Sequence, residues 1–298
     1  MRILKRALLA LAALVVVLVV VALGVIRYVG AWNLVFPNRT HEVEPPALPD
    51  ARALPHPAVL VFTKTNGFRH VEGIAAGRAL LEDVAARRGW HLFPTENGAV
   101  MRPDLLARFD AVVFLNASGD MFDEAQERAF QEWLESGGGW LGVHAAGDGS
   151  HAEWRWYVDT LIGAGFIGHP MGPQFQTARV RVEDATHPAT AALPATFDHE
   201  EEWYSWDRSP RLAGMHVLAT IDETTYSPIA RIFGSERDLR MGSDHPVAWT
   251  RCVGRGRAVY SALGHAAAAY DVPENRALLE GALAWALGAE GEGCGEDR

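Results

Sequence analysis

The chain has 298 residues, of which 49% are hydrophobic and 21% charged, and these values are typical of a globular protein with a sizeable core. Its formal net charge of −10 argues against a nucleic-acid partner, because affinity for a phosphate backbone rests on clustered positive charge. The 2 cysteines are too few for a disulfide framework or a cysteine-rich zinc site.

The N-terminus predicts a helix that crosses a membrane. Residues 7–26 include no charged or strongly polar side chain, and at about 1.5 Å per residue they span the roughly 30 Å hydrocarbon core of a bilayer. Basic residues precede this run at Arg2, Lys5 and Arg6 and follow it at Arg27. That bias favours a cytoplasmic N-terminus, so the main domain should lie on the extracytoplasmic side. We assign residues 1–29 to a retained membrane anchor; the alternative is a cleaved signal peptide that releases a secreted domain.

Residues 30–57 are rich in proline and lack hydrophobic periodicity. Such a composition predicts a stiff, partly extended linker that lifts the folded domain off the membrane. His41 and His56 fall in this linker, and we expect no specific role for either. The domain itself is predicted to cover residues 58–288, and the polar residues 289–298 are expected to form a disordered tail.

From residue 58 onward, short apolar runs alternate with segments of helical periodicity. The first half predicts strands at Ala58–Thr63, Trp90–Thr95, Asp110–Asn116 and Trp140–Val143, with helices at 70–88 and 123–136. Asp123 and Gln126 stand in capping-box positions at the start of the second helix. The second half predicts strands at Phe175–Val182, Met215–Ile221, Ile229–Phe233, Val247–Val253 and Arg257–Leu263, and a helix at Asn275–Leu287. This pattern is typical of a doubly wound, mostly parallel α/β sheet in one domain, with Cys252 as a small core residue.

Polar side chains follow several of these strands directly. His144 comes after Trp140–Val143, His265 comes just after the last predicted strand, and Asn66 and His70 come after the first. Because ligands bind beyond the carboxyl ends of the strands in doubly wound sheets, we expect these groups to meet at one edge. The turn at His144 is similar to a nucleophile elbow. Its apex carries neither cysteine nor serine, so a glutaminase that forms a thioester would lack its nucleophile.

A series of motifs stands in one order along this domain: GGGWLGVHAA (137–146), GHP (168–170), EEWY (201–204), HPVAWT (245–250) and GRGRAVYSALGH (254–265). In this combination the chain, over about residues 58–287, resembles the ThuA-like family, which is associated with trehalose utilisation. The resemblance implies a flavodoxin-like sheet of the class I glutamine amidotransferase type. It also implies a role in sugar metabolism, on oxidised, keto-bearing glycosides. The family positions that it carries over are His70, His144, His169, Glu202, Tyr204 and His265.

The matched side chains are compatible with three kinds of site. A divalent metal, zinc or manganese, is one, with His144, His169, Glu202 and His265 as the ligands. A metal-free site is the second, in which Glu202 and the histidines, His70 included, move protons next to a sugar ketone. In the third the histidines only hydrogen-bond in a half-buried cleft. No nucleotide cofactor is expected, because no GxGxxG motif follows a strand and opens a helix.

We expect the ligand to be a carbohydrate. The indoles of Trp203 and Trp249 are candidates to stack on a sugar ring, and Asn66, Tyr204 and Asp148 are candidate polar contacts. Asp148 lies between two glycines, so capping a turn is an alternative role. Two functions follow. One is a sugar-derivative hydrolase, lyase or isomerase, and the other is a non-catalytic carbohydrate-binding domain at the cell envelope.

Overall fold

The computed structural model describes residues 2–48, 55–232 and 234–295. Within these residues the helices are α1 (Arg2–Tyr28), α2 (Trp32–Val35), α3 (Val71–Arg88), α4 (Pro103–Leu106), α5 (Glu124–Glu135) and α6 (Pro273–Ala286). The first strands are β1 (Ala58–Phe62), β2 (His91–Thr95), β3 (Ala111–Leu115), β4 (Gly139–Val143), β5 (Phe166–Gly168), β6 (Gln176–Val182) and β7 (Thr196–Glu201). They are followed by β8 (Ser205–Trp206), β9 (His216–Asp222), β10 (Ile229–Ile232), β11 (Ser235–Asp238), β12 (Pro246–Val253) and β13 (Gly256–Ser261).

One mixed sheet organises the described residues, with the 9 strands in the order β2-β1-β3-β4-β13-β12-β9-β6-β7. The strands from β2 to β13 in this order run parallel, and the remaining pairs are antiparallel. The parallel half is the part in which strand and helix alternate in the sequence, because a parallel connection needs a crossover. The predicted α/β class is therefore confirmed, with an antiparallel extension from β12 outward.

The hydrophobic patterns locate the core correctly. Strands β1, β3 and β4 are buried along their whole length, as expected where both faces of a sheet are covered. The predicted capping box of α5 is also present, because the Asp123 carboxylate accepts bonds from the N–H groups of Ala125 and Gln126 at 2.8 and 2.9 Å. Strand β7 was not predicted, since its buried face carries Phe197, His199 and Glu201 rather than an apolar series.

Helix α1 has the length and the mean hydropathy, 3.3, of a membrane span, and none of its residues is buried. A signal sequence near an N-terminus can have the same length and hydropathy, so the helix is compatible with either an anchor or a signal peptide. Most of its apolar side chains are exposed.

The segment after α1 is bound to the domain rather than free of it, which corrects the expectation of a spacer. The backbone N–H of Arg69 donates to the Gly30 carbonyl at 2.9 Å, and the Lys64 ammonium donates to the Thr40 carbonyl at 2.9 Å. The two histidines of this region also have partners: His41 pairs with Asp120 at 3.0 Å and His56 with Asp110 at 2.7 Å. Residues 49–54 of the predicted linker lie outside the described residues.

The C-terminal residues are attached as well, and two expectations are corrected here. Cys252 on β12 forms a disulfide with Cys294, with 5.5 Å between the Cα atoms, so it is not a solitary core residue. Glu290 also pairs with Arg88 at 2.7 Å. The tail predicted to be disordered is thus held against the domain up to residue 295, and residues 296–298 lie outside the described chain.

A half-buried histidine joins the β6–β7 connection to α6. The His187 ring lies 4.9 Å from the Trp285 ring, and its Nδ1 accepts a bond from the Ala189 N–H at 3.2 Å. Burial lowers the pKa of His187 to about 4, with Asp184 opposing the shift and His216 adding to it. The neutral ring is therefore the form that fits the fold.

Removing the disulfide is expected to destabilise the domain. The crosslink joins residues 42 apart, and closing such a loop restricts the unfolded chain. Cys252→Ser in the full chain should lower the free energy of unfolding by about 2–4 kcal/mol in urea titration. Cys294→Ser should give the same loss and the double variant no more, whereas additive losses would contradict a shared bond.

The stability of the chain should depend on the protonation of His187. The unfolded ring takes up a proton near its ordinary pKa of 6.5, but the folded ring does so only near 4. The contribution is therefore complete above pH 6.5 and is lost as the pH falls toward 4. His187→Asn keeps an acceptor for Ala189 without titrating, so its melting temperature should fall less than that of the wild type between pH 7 and 4.5. Parallel pH profiles would contradict this assignment.

Candidate functional site

The site begins at the strained end of β4. His144 has a positive φ of 48°, an uncommon conformation for a residue other than glycine, and it starts a 3₁₀ turn. Its side chain is fully buried, and its Nδ1–H donates to the Ala262 carbonyl at 2.7 Å. The other ring nitrogen, Nε2, is thereby left to face the groups at the carboxyl end of β13.

Glu202 connects the histidines of this edge. Its Oε2 lies 3.0 Å from His265 Nδ1 and 3.5 Å from His144 Nε2, and its Oε1 lies 3.2 Å from His169 Nδ1. The two ring nitrogens of His144 and His265 are themselves 3.1 Å apart. Gln174 donates a further bond to Oε1, so the buried carboxylate has partners on both oxygens.

The charges of these groups are set by their mutual contacts. Burial would raise the pKa of Glu202, but the hydrogen bonds from His144 and His265 hold it well below its usual range. Burial likewise opposes charge on His144, yet its bond to Glu202 and the charge of Glu201 raise its pKa. The arrangement is therefore an ionised carboxylate with a proton kept on the His144 side.

His70 is a buried histidine of the site, and one of its ring nitrogens makes no hydrogen bond to a described residue. It follows β1, its ring lies 4.4 Å from that of His265 and 4.9 Å from that of His144, and no described residue hydrogen-bonds to its Nδ1. Burial, together with the neighbouring imidazoles, lowers the pKa of His70 well below its ordinary value. A neutral imidazole of this kind can accept a proton or bind a cation.

Glu201 positions the site, and sequence reasoning gave it no role. Its carboxylate accepts the N–H groups of Gly264 at 2.6 Å, Glu202 at 2.9 Å and His265 at 3.3 Å. These bonds tie the end of β7 to the turn that carries His265. The sequence signal for Glu201 was its place beside Glu202 in the EEWY motif. Consecutive extended residues point to opposite sides, and the structure buries both acids.

A cavity of about 450 Å³ opens onto this cluster. Its polar lining consists of His70, Asp148, His169, Gln174, Glu202 and His265, and the Tyr204 ring also lines it. The Tyr204 ring lies 4.3 Å from the His144 ring, and His144 itself stays behind it, without exposure. The predicted residues His70, His265, Glu202, Tyr204 and Asp148 therefore meet in one cavity. Asp148 also accepts the N–H of Ser150 at 2.9 Å, so it caps a turn as well as lining the cavity.

Three of the predicted ligand contacts are elsewhere. Trp203 is 0% exposed and Trp249 1% exposed, so neither indole face can stack on a sugar, and that expectation is wrong. Both belong to the hydrophobic core. Asn66 is also absent from the cavity lining, since its amide bonds to the Asp120 carbonyl and to Asn38.

The geometry groups four possible metal ligands, and this group differs by one residue from the predicted set. The possible ligand atoms of His70, His144, Glu202 and His265 all lie within 4.8 Å of one another. His70 Nδ1 is a nitrogen available to bind an ion. The bond from His144 to a backbone carbonyl is typical of zinc sites, where a ligating histidine donates its other N–H to a carbonyl or carboxylate. The donor set fits a divalent ion, with His70 in the place expected for His169.

Comparison with known proteins identifies the relatives of this chain. The family described as "ThuA: Trehalose utilisation" matches residues 58–286. A solved ThuA-like protein from Bacteroides uniformis is 26% identical, with a TM-score of 0.66 over 82% of this chain and 95% of that one. Another from Parabacteroides merdae, 20% identical with a TM-score of 0.56 over 78% and 90% of the two chains, shares the fold. A search of curated proteins finds no match.

The two ligand sets can be separated by metal analysis of the full chain loaded with zinc or manganese. We expect about one ion per chain, as in a single four-ligand site. His70→Ala and Glu202→Gln should each lose most of it, whereas His169→Ala should retain it. Circular dichroism of each variant controls for folding. Loss in His169→Ala with retention in His70→Ala would restore the predicted set, and no ion in the wild type would favour metal-free chemistry.

Proposed function

Because this chain belongs to the ThuA (trehalose utilisation) family, we propose that it is an enzyme acting on a sugar derivative, specifically a glycoside whose ring carries a ketone. The observation that carries the proposal is the His70 imidazole, which lines the cavity beside an ionised carboxylate and whose buried Nδ1 has no hydrogen-bond partner within the described residues. Several titratable groups in one pocket are more characteristic of catalysis than of binding alone.

The groups suit proton transfer next to a ketone. A ketone makes the neighbouring C–H acidic, and the neutral His70 imidazole, which lines the cavity, is the acceptor for that proton. The negative charge then develops on the ketone oxygen, where a hydrogen bond from the His265 imidazole would stabilise it. Elimination or isomerisation can follow from this enolate without a covalent intermediate. Glu202 orients His265 in this scheme, and His144 supports both from behind.

A metal can serve the same chemistry. Bound by His70, His144, Glu202 and His265, a divalent ion would polarise the ketone oxygen or activate a water. In that case Glu201 keeps its role, because it holds the backbone that carries Glu202 and His265. The metal-free and metal-assisted versions are separated by the metal analysis described above.

A glutaminase function is disfavoured. The reaction needs a cysteine thiolate at the elbow, and the apex here is His144. The chain has 2 cysteines, and both are joined in the disulfide. The alternative of a carbohydrate-binding domain has less support than an enzyme, because the indoles expected to stack on a sugar are buried.

We also propose that the domain is anchored by α1 on the extracytoplasmic side. The basic residues before the apolar run favour this orientation. The Cys252–Cys294 bond supports it independently, since disulfides persist in oxidising compartments and are rare in the cytosol.

The proton-transfer step can be measured without knowing the final product. Each ring-ketone isomer of methyl glucoside is incubated with the full chain in D₂O, and deuterium uptake beside the ketone is followed by NMR. His70→Ala should slow the exchange by roughly 10²–10⁴-fold, the usual contribution of a general base. His216→Ala, at an exposed and distant histidine, is the matched control and should exchange like the wild type. Binding of the ketones without any exchange would instead indicate the carbohydrate-binding domain.

A further inference from the structure

We infer that residues 28–36, here called the juxtamembrane segment, form the outer wall of the cavity, and that the cavity admits a glycolipid from the membrane surface. This inference rests on the proposed function and on the proposed anchor, and it specifies the substrate class as a glycoside with a long apolar chain.

The juxtamembrane segment is fastened to the loop that carries His70. The Gly30 carbonyl accepts the Arg69 N–H at 2.9 Å, and the Asn33 side chain donates to the Thr65 carbonyl at 2.5 Å. Gly30 has a φ of +81°, and a Cβ at this position would stand 1.9 Å from the Arg69 oxygen. The close approach therefore requires glycine, and the segment is a fitted part of the site.

The position of this wall relative to the bilayer follows from chain length. The apolar run ends at Ile26, and Val29, which lines the cavity, is 3 residues further along. Three residues span at most about 10 Å. The polar interfacial layer adds roughly 5–8 Å on each side of the hydrocarbon core. The cavity wall consequently lies at the level of the lipid headgroups.

The cavity is polar at its floor and apolar at its mouth. The floor is the His/Glu cluster, and Val29, Leu34, Phe68, Phe166 and Met171 provide the apolar walls. A free sugar would leave this apolar surface without a partner. A glycolipid matches both parts, because its ring reaches the polar floor while its chain lies along the apolar walls toward the bilayer.

The surface around the mouth is also suited to a membrane interface. Tyr28, Leu34 and Val35 are 80%, 62% and 51% exposed, an arrangement that is costly in water. Arg27 lies over the Trp32 ring at 5.8 Å, and tryptophan and basic residues are enriched at the headgroup level. These side chains would be covered by lipid when α1 spans the membrane.

Membrane placement can be tested first, without any sugar. The full chain is placed in nanodiscs with a bimane label at one of two positions. One is Phe175→Cys, in an adjoining pocket that shares Val29 and Phe68 with the cavity; the other is Arg255→Cys in the β12–β13 turn, at the opposite end of the parallel strands. Lipids with a nitroxide on the headgroup should quench the label at position 175 and leave the one at 255 unaffected. Equal quenching at both positions, or none at 175, would overturn the inference.

Substrate class is tested by protection of His265 from diethyl pyrocarbonate, measured by mass spectrometry in the same nanodiscs. Dodecyl glucoside should protect at least about tenfold better than methyl glucoside, since a few methylenes bury on the apolar walls. Gly30→Ala should weaken this protection several-fold by displacing the juxtamembrane segment. Gly24→Ala, where a Cβ meets nothing within 4 Å, is the matched control.

The remaining outcomes separate this inference from the proposed function. Two results would overturn the glycolipid inference and leave the sugar chemistry standing. Methyl glucoside could protect His265 as well as dodecyl glucoside does, or dodecyl glucoside could protect His265 equally in Gly30→Ala and in the wild type. If dodecanol, which enters the bilayer equally but carries no sugar, protects as well as dodecyl glucoside, both the glycolipid and the sugar assignment fail.

Discussion

Two adjacent buried carboxylates determine how this site is built. Glu201 accepts backbone N–H groups from the turn after β13, and Glu202 accepts bonds from the imidazoles of His144 and His265. A buried carboxylate without such partners would be costly, so each acid is stable only while the elements around it stay in place. The end of β7, the elbow after β4 and the turn after β13 are in this way held together by two charges.

The site lies where the parallel half of the sheet meets the antiparallel half. His70 and His144 come from the ends of parallel strands, whereas Glu201 and Glu202 come from the antiparallel extension. His265 follows β13, the strand that belongs to both halves. Ligand sites in doubly wound α/β proteins form beyond the carboxyl ends of the parallel strands, and here the antiparallel extension brings acids to that edge.

The two ends of the chain are tied to the same domain by different means. Hydrogen bonds and the Lys64–Glu42 ion pair hold the N-terminal segment, and the Cys252–Cys294 bond holds the C-terminal one. The N-terminal attachment matters for function because it brings the end of α1 to the cavity. If α1 is the anchor proposed above, this attachment also determines which surface of the domain faces the membrane.

The sequence by itself was sufficient for every strand of the 9-stranded sheet except β7, for the main helices and for the candidate site residues His70, His144, Glu202 and His265. Apolar runs and helical periodicity report burial directly, and strand ends report the position of the site. Tertiary structure alone decided the rest. Strand β7 has a polar buried face, so no pattern marks it. Three features depend on contacts between residues far apart in the chain, which local pattern does not encode: the burial of Trp203 and Trp249, the grouping of His70 with His144, Glu202 and His265, and the pairing of the 2 cysteines.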